Sequence, residues 1–198
     1  MPNYCNTTLK IRGSKSELAR FRKFAKTSVS KHGISEKNVL DTNQFLPYPD
    51  KYLIKDIAPK TKKTKNGAGQ FRMVEGSDGF NSGGYEWCNE NWGTKWGICS
   101  AELDVKETDK KNKYDDSDYD KPQLIYTYDT AWTPGCPIVE KMSKMFPKLS
   151  FKRFVEEESR AFVFEDEIKN GKTIEYVEHD PDEFYNHADD EEEDEEDE

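Results

Sequence analysis

Cysteine, histidine and long apolar runs are all scarce in this chain, and each shortage closes a class of explanation. The 198 residues include four cysteines, Cys5, Cys88, Cys99 and Cys136, none of them in a CxxC pair. The three histidines, His32, His179 and His187, do not neighbour a cysteine in sequence. That spacing builds neither a zinc site nor a dithiol redox motif, so the thiols read as free and buried in a reducing compartment. No stretch approaches the roughly 18 apolar residues of a membrane span. The start, Met1-Pro2-Asn3-Tyr4-Cys5, lacks the basic and apolar regions of a signal peptide. The expectation is a soluble cytoplasmic protein with no membrane partner.

Catalytic signatures are missing as well. There is no Ser-His-Asp order, no paired-acid motif and no HExxH. Gly67-Ala68-Gly69 is followed by neither the Gly-Lys-Ser/Thr of a phosphate-binding loop nor the third glycine of a dinucleotide fingerprint. Asp116-x-Asp118-x-Asp120 begins like a calcium loop, but Lys121 stands where glycine is needed and Thr127 where a bidentate Glu is needed. Cys88 or Cys136 would act as a nucleophile only beside a histidine brought from elsewhere in the chain. The expectation is therefore no enzymatic activity, no metal and no cofactor.

Charge and aromatic residues are plentiful. Charged residues make up 35% of the chain against 33% hydrophobic, with a mean hydropathy of −1.04. That balance borders on disorder, but 11 Phe, 10 Tyr and 4 Trp supply a core. The charge is unevenly spread. Residues 1–72 hold 16 Lys and Arg against 5 Asp and Glu, whereas residues 73–188 hold 14 against 25. Residues 189–198 are all Asp or Glu, which by itself accounts for a net charge of −10. Ten adjacent carboxylates repel one another, so residues 180–198 read as a disordered acidic tail behind a single domain at 1–179. Such a tail serves solubility, mimics nucleic-acid charge, or covers the chain's own basic surface.

Along the chain, Tyr4–Arg12 alternates, with Cys5, Thr7, Leu9 and Ile11 on one side and Asn6, Thr8, Lys10 and Arg12 on the other, which predicts a half-buried strand. Ser14 and Glu17 form a capping box ahead of a helix with Leu18, Phe21, Phe24/Ala25 and Ser28/Val29 inward, ending at His32-Gly33. Val39–Leu46 reads as a second strand stopped by Pro47-Tyr48-Pro49. Residues 55–84 and 107–121 read as polar insertions, with a short helix in Tyr85–Trp96 and strands at Ile98–Val105 and Leu124–Tyr128. Pro137 opens a second helix with Ile138, Met142, Met145 and Leu149 inward, ended by Pro147. Phe151–Val155 and Ala161–Glu165 read as strands, and Glu167–Val177 as a hairpin turning at Asn170-Gly171. The order predicts an α+β sandwich of ferredoxin-like type, with two helices on one face of a mostly antiparallel sheet.

Four segments carry a resemblance: Met1-Pro2-Asn3-Tyr4-Cys5-Asn6, Phe45-Leu46-Pro47-Tyr48-Pro49, Asn89-Glu90-Asn91-Trp92-Gly93-Thr94-Lys95-Trp96 and Thr130-Ala131-Trp132-Thr133-Pro134. Together they resemble the YubB-like ferredoxin-like domain family of bacteriophages and plasmids. The chain departs from that family at Tyr4, where Trp is usual, and at Thr133-Pro134-Gly135-Cys136-Pro137, where a shorter run is usual. The resemblance implies the fold and a phage or mobile-element origin, and it brings no catalytic residue with it.

Two constellations are candidate binding sites. Trp87, Asn89, Trp92, Thr94, Lys95, Trp96 and Trp132 form either large pieces of core, the favoured reading, or a pocket of stacking walls and polar edges for a base or small ligand. On a helix, Trp92 and Trp96 would share a face. Lys60, Lys62, Lys63, Lys65 and Arg72 form a cationic loop, either merely solvated or touching phosphates. The resulting expectation is a non-enzymatic accessory protein that binds a host macromolecule. A host protein is favoured, nucleic acid at the basic N-terminal third is the alternative, and a small ligand at the tryptophans comes third.

Overall fold

The alternation of Tyr4–Arg12 is the seed of the architecture, because its inward residues are buried and its outward residues half-buried over the whole length of strand β1. The computed structural model describes residues 3–27, 30–31, 34–35, 38–52, 80–106 and 122–185. Strand β1 is followed by helix α1 (Lys15–Ala25), two short strands β2 (Ser30–Lys31) and β3 (Ile34–Ser35), and helix α2 (Thr42–Phe45). After a 3-10 turn at Asp50–Tyr52 and a π-helical turn at Phe80–Gly84 come helix α3 (Tyr85–Asn91) and strands β4 (Cys99–Lys106) and β5 (Gln123–Ala131). Helix α4 (Cys136–Met145) and strands β6 (Ser150–Glu157), β7 (Val163–Lys169) and β8 (Lys172–His179) complete the order.

The main sheet runs β4-β5-β1-β6-β7-β8, with every neighbouring pair antiparallel. Strands β1 and β4 are therefore parallel with β5 between them, and β5 and β6 are parallel with β1 between them. These two interleaved βαβ units are the ferredoxin-like arrangement, extended on one side by the β7–β8 hairpin. Asn170 and Gly171 both have positive φ at its turn, 50° and 73°, as a two-residue hairpin with right-handed strand twist requires.

Helices α1 and α4 lie on one face of the sheet. Leu18, Phe21 and Ala25 of α1 join Ile138 and Met142 of α4, together with Phe146 just beyond its end. They meet Leu9, Ile11, Tyr126 and Phe151 from the strands. Phe21 is fully buried and centres an aromatic cluster, with its ring 5.0 Å from Phe146, 5.5 Å from Phe45 and 5.6 Å from Phe151. Ser14 caps α1 by accepting the Glu17 N–H at 3.3 Å, and the Glu17 carboxylate takes Arg20 at 2.7 Å.

Three expectations are corrected. Helix α1 ends at Ala25 rather than at His32-Gly33, because the chain turns extended at Lys26 and Thr27 pairs with Asn38. The stretch Val39–Leu46 is not a strand. Asp41 accepts the Asn43 N–H at 2.9 Å and starts a four-residue helix that buries Phe45. Nor does the tail begin at residue 180: residues 181–185 are helical, with Asp180 accepting the Asp182 N–H at 2.9 Å, and Phe184 packs on Phe154 at 5.7 Å. The expected insertion at 107–121 and the acidic run 189–198 lie outside the described residues.

Arg153 sits among apolar residues on the helix side of β6, 1% exposed. Directly opposite on β7 is Asp166, which accepts from Nε at 2.9 Å and from Nη2. Burial alone would lower the pKa of Arg153, but the bonds to Asp166 outweigh it and hold the guanidinium charged. Asp166→Ala leaves a buried cation without its partner and is expected to cost about 3–5 kcal/mol. The double variant Arg153→Met/Asp166→Leu recovers most of that loss, both read from urea unfolding.

Candidate functional site

The tryptophan-bearing segment is built to hold the fold. Helix α3 ends at Asn91, so Trp92 is its C-cap and Trp96 lies beyond the helix. The two do not share a helical face, because the chain turns at Gly93. Gly93 has φ +70°, and a Cβ there would sit 2.2 Å from the ring of Pro137, so only glycine fits. Thr94 is fully buried and latches the end of β5, donating to the Ala131 carbonyl at 2.9 Å and accepting the Ala131 N–H at 3.1 Å. The Thr133 hydroxyl donates back to the Gly93 carbonyl at 2.6 Å.

Trp92 is 5% exposed, donates Nε1 to the Leu46 carbonyl at 2.9 Å, and packs 5.2 Å from Trp87 and 5.6 Å from Tyr48. The Asn89 amide is turned to its own helix, donating to the Tyr85 carbonyl. Lys95 lies over the Trp96 ring at 5.0 Å. Trp132 is 48% exposed, with φ +69° and its backbone N–H donated to the Asn3 carbonyl. The structure therefore brings Trp87 and Trp92 together with Tyr48, and leaves Trp132 at the surface. Lys60, Lys62, Lys63, Lys65 and Arg72 lie outside the described residues.

The two faces of the sandwich differ in charge. On the outside of the helical layer, Lys15, Arg20, Arg22, Lys23 and Lys26 of α1 are exposed, as are Lys141 and Lys144 of α4 and Lys148 behind it. Among the described residues the opposite face of the sheet carries none of helices α1 to α4. Register alone arranges its side chains in rows across the strands. One row runs Lys10, Lys152, Glu167, Glu175, each directly opposite the next on β1, β6, β7 and β8. Its neighbour runs Thr8, Phe154, Glu165, Val177. Lys152 crosses between rows to bind Glu165 at 2.9 Å. These two rows line a cleft of about 260 Å³. The C-terminal turn closes on this same face, where Phe184 stacks on Phe154 and the Tyr185 hydroxyl donates to Glu156 at 3.0 Å. Periodicity identifies which residues of β1 face outward, but the rows depend on strand pairings that sequence spacing does not show.

The Cys5 and Cys88 thiols are set chiefly by burial. Burial first, then the Glu157 charge, pushes Cys5 up to about 12, and burial pushes Cys88 up to about 11. Among the described residues, no cluster of His, Cys, Asp and Glu is placed to hold a metal ion.

Two outcomes are expected. Trp92→Ala removes a buried ring and costs about 3–5 kcal/mol, whereas Trp132→Ala stays within about 0.5 kcal/mol, compared by urea unfolding. Cys5 and Cys88 resist alkylation in the folded chain at pH 8 and react once it is unfolded. Both are protonated in the fold at pH values where the unfolded thiol ionises. Their stabilising contribution is therefore full below the ordinary thiol value of 9.0 and is lost as pH rises through about 11 and about 12. Urea midpoints measured across that range should fall.

No curated protein matches this sequence. The crystal structure of a protein Api92 from Yersinia pseudotuberculosis superposes with a TM-score of 0.49 at 8% identity, covering 90% of this chain and 98% of that chain. Residues 109–198 match the family model described as the ferredoxin-like domain in Api92-like protein, so the match falls on an Api92-like rather than a YubB-like model and covers β5 to β8 of the ferredoxin-like domain described above.

Proposed function

We propose that this chain is a non-enzymatic accessory protein of a phage or mobile genetic element that acts by binding a host protein. The resemblance of its four sequence segments to YubB-like proteins supports the origin. The binding mode rests on strand β8, which among the described residues pairs only with β7 and forms an edge of the sheet. Ile174, Tyr176 and Val177 along it are 58%, 55% and 45% exposed. An edge strand with exposed large apolar side chains, Tyr176 opposite Asp166 on one face and Val177 opposite Glu165 on the other, offers main-chain hydrogen bonds and side-chain contacts to an added strand. Glu165, Glu167 and Glu175 border that edge, so the incoming segment is apolar and basic.

A photo-crosslinking residue at position 177 of the full chain, expressed in the host cell, tests this reading. A discrete host-protein adduct that disappears with Ile174→Lys is the expected result. No adduct at position 177, or one indifferent to Ile174→Lys, overturns it.

Nucleic acid is the second reading, favoured by the exposed cations of α1 and α4. It requires that single-stranded oligonucleotide binding fall steeply with salt and strengthen when Asp and Glu at 189–198 become Asn and Gln. Fluorescence anisotropy of the full chain at two salt concentrations, with and without Lys23→Glu/Lys144→Glu, decides it. Binding that is absent, or unaffected by the two charge reversals, excludes the helical layer.

A further inference from the structure

Strand β8 is open along nearly its whole length: residues 172–178 are all exposed, and only His179 is partly covered. Among the described residues it pairs on one side alone, with β7. Residues 175–179 pair there without irregularity, because the register shift of the hairpin lies before them, at Ile174. That pairing fixes which way they face. Glu175, Val177 and His179 stand opposite Glu167, Glu165 and Val163 on one face of the sheet, and Tyr176 and Glu178 stand opposite Asp166 and Phe164 on the other. Beyond His179 the chain turns back over the sheet, where Phe184 packs 5.7 Å from Phe154 of β6 and 5.3 Å from His179. Among the described residues the outer side of 175–179 is therefore left to an added strand.

The run Glu175-Tyr176-Val177-Glu178-His179 is complementary to itself when two copies lie antiparallel. Residues directly opposite in an antiparallel pair point to the same face. A two-fold axis at Val177 therefore sets Val177 against Val177, Glu175 against His179 and Tyr176 against Glu178, and in each contact the two residues already share a face. The two outer contacts occur twice. Each places a carboxylate beside a group that can donate to it, an imidazole in one case and a phenol in the other. Other registers match less well. An axis at Glu175 puts two carboxylates directly opposite each other, and an axis at Tyr176 puts Glu178 against the bulged Ile174. A slip of one residue sets side chains of opposite faces against each other.

We propose that β8 pairs with β8 of a second copy of this chain, antiparallel about a two-fold axis at Val177, so that two six-stranded sheets become one. The second copy brings an apolar group, Val177, and a basic one, His179, to the edge that carries Val177 and Glu175. The contact is isologous, so it closes at two copies and leaves no further β8 edge to recruit a third. This inference rests on β8 being the docking strand, and it names what closes that edge when no host segment does. Host segment and second copy then compete for the same strand. Five residues a side make a small interface, below the size of a permanent complex, so the dimer forms and dissociates with concentration.

Sedimentation equilibrium of the purified full chain tests the proposal. Salt of about 0.15 M screens the repulsion between two chains of net charge −10 beyond about 8 Å. The mass should rise from 23.0 kDa toward twice that value as the concentration goes from micromolar to millimolar. Val177→Lys sets two ammonium groups on the axis and should weaken self-association tenfold or more, with circular dichroism showing that the fold is kept. Oxidation by diamide reads the register: Val177→Cys should form a disulfide between copies, whereas Thr173→Cys and the unsubstituted chain should not. A mass of one chain at every concentration overturns the proposal. So does a dimer that Val177→Lys leaves intact, or one in which Val177→Cys fails to cross-link. The purified chain contains no host protein, so these outcomes are separate from the host-protein reading, which stands or falls on the adduct formed in the cell.

Discussion

The pairing of Arg153 with Asp166 is the constraint on which the extended side of this domain depends. A ferredoxin-like sheet ends at β6; here it continues into β7 and β8, and the first rung of that extension is ionic. Arg153 also donates to the Pro134 carbonyl at 3.2 Å and to the Cys136 sulfur at 3.3 Å, so one guanidinium ties β6 to β7 and to the start of α4. Two buried charges cost desolvation energy that an apolar pair would avoid. What they add is direction, since a guanidinium fork donates to its carboxylate in few geometries. Register on this side fixes the charged rows of the opposite face, because a slip of one residue on β7 would exchange Glu165 and Glu167 for Phe164, Asp166 and Ile168.

The hairpin beyond that pair is held by a second buried carboxylate. Glu157 is 4% exposed and accepts the Ser159 N–H at 2.7 Å and the Ala161 N–H at 3.3 Å, closing the turn between β6 and β7. Charged side chains therefore do structural work on the helix-covered side, where the pattern of apolar residues would place hydrophobic ones. On the opposite side they are at least partly exposed to water. Arg153 and Asp166 pair with each other and Glu157 Oε2 takes backbone N–H groups, while the other charged side chains among the described residues are at least partly exposed.

Much of this was legible in sequence wherever the signal was local. The alternation of Tyr4–Arg12, the Ser14 cap, Pro137 at the start of α4 and the Asn170-Gly171 turn each act within a few residues, and each appears in the structure. Helix α2 was missed although Asp41 is a good capping residue, because Val39, Leu40, Phe45 and Leu46 read as a strand when their tertiary contacts are unknown. The tryptophans were legible as large and clustered in sequence, but not as separated in space. A single positive φ at Gly93 sends Trp92 inward and the chain away from the helix. The cleft was illegible for a deeper reason. Lys10 and Glu175 meet one row through three strand pairings, and pairings at such separations leave no trace in spacing.

Those long-range pairings also compose a surface that no sequence motif announces. A helix presents side chains in an order that sequence reveals, whereas an uncovered sheet composes its surface from strands distant in the chain. Lys10 contributes from the first strand, Lys152 from the sixth, and Glu167 and Glu175 from the added hairpin. Without β7 and β8 this row would run Asp104, Ile125, Lys10 and end at Lys152. Adding the hairpin brings Glu167 and Glu175 into the row beside Lys152. The extension that Arg153 and Asp166 anchor thus carries both the exposed apolar side chains of β8 and the carboxylates beside Lys152.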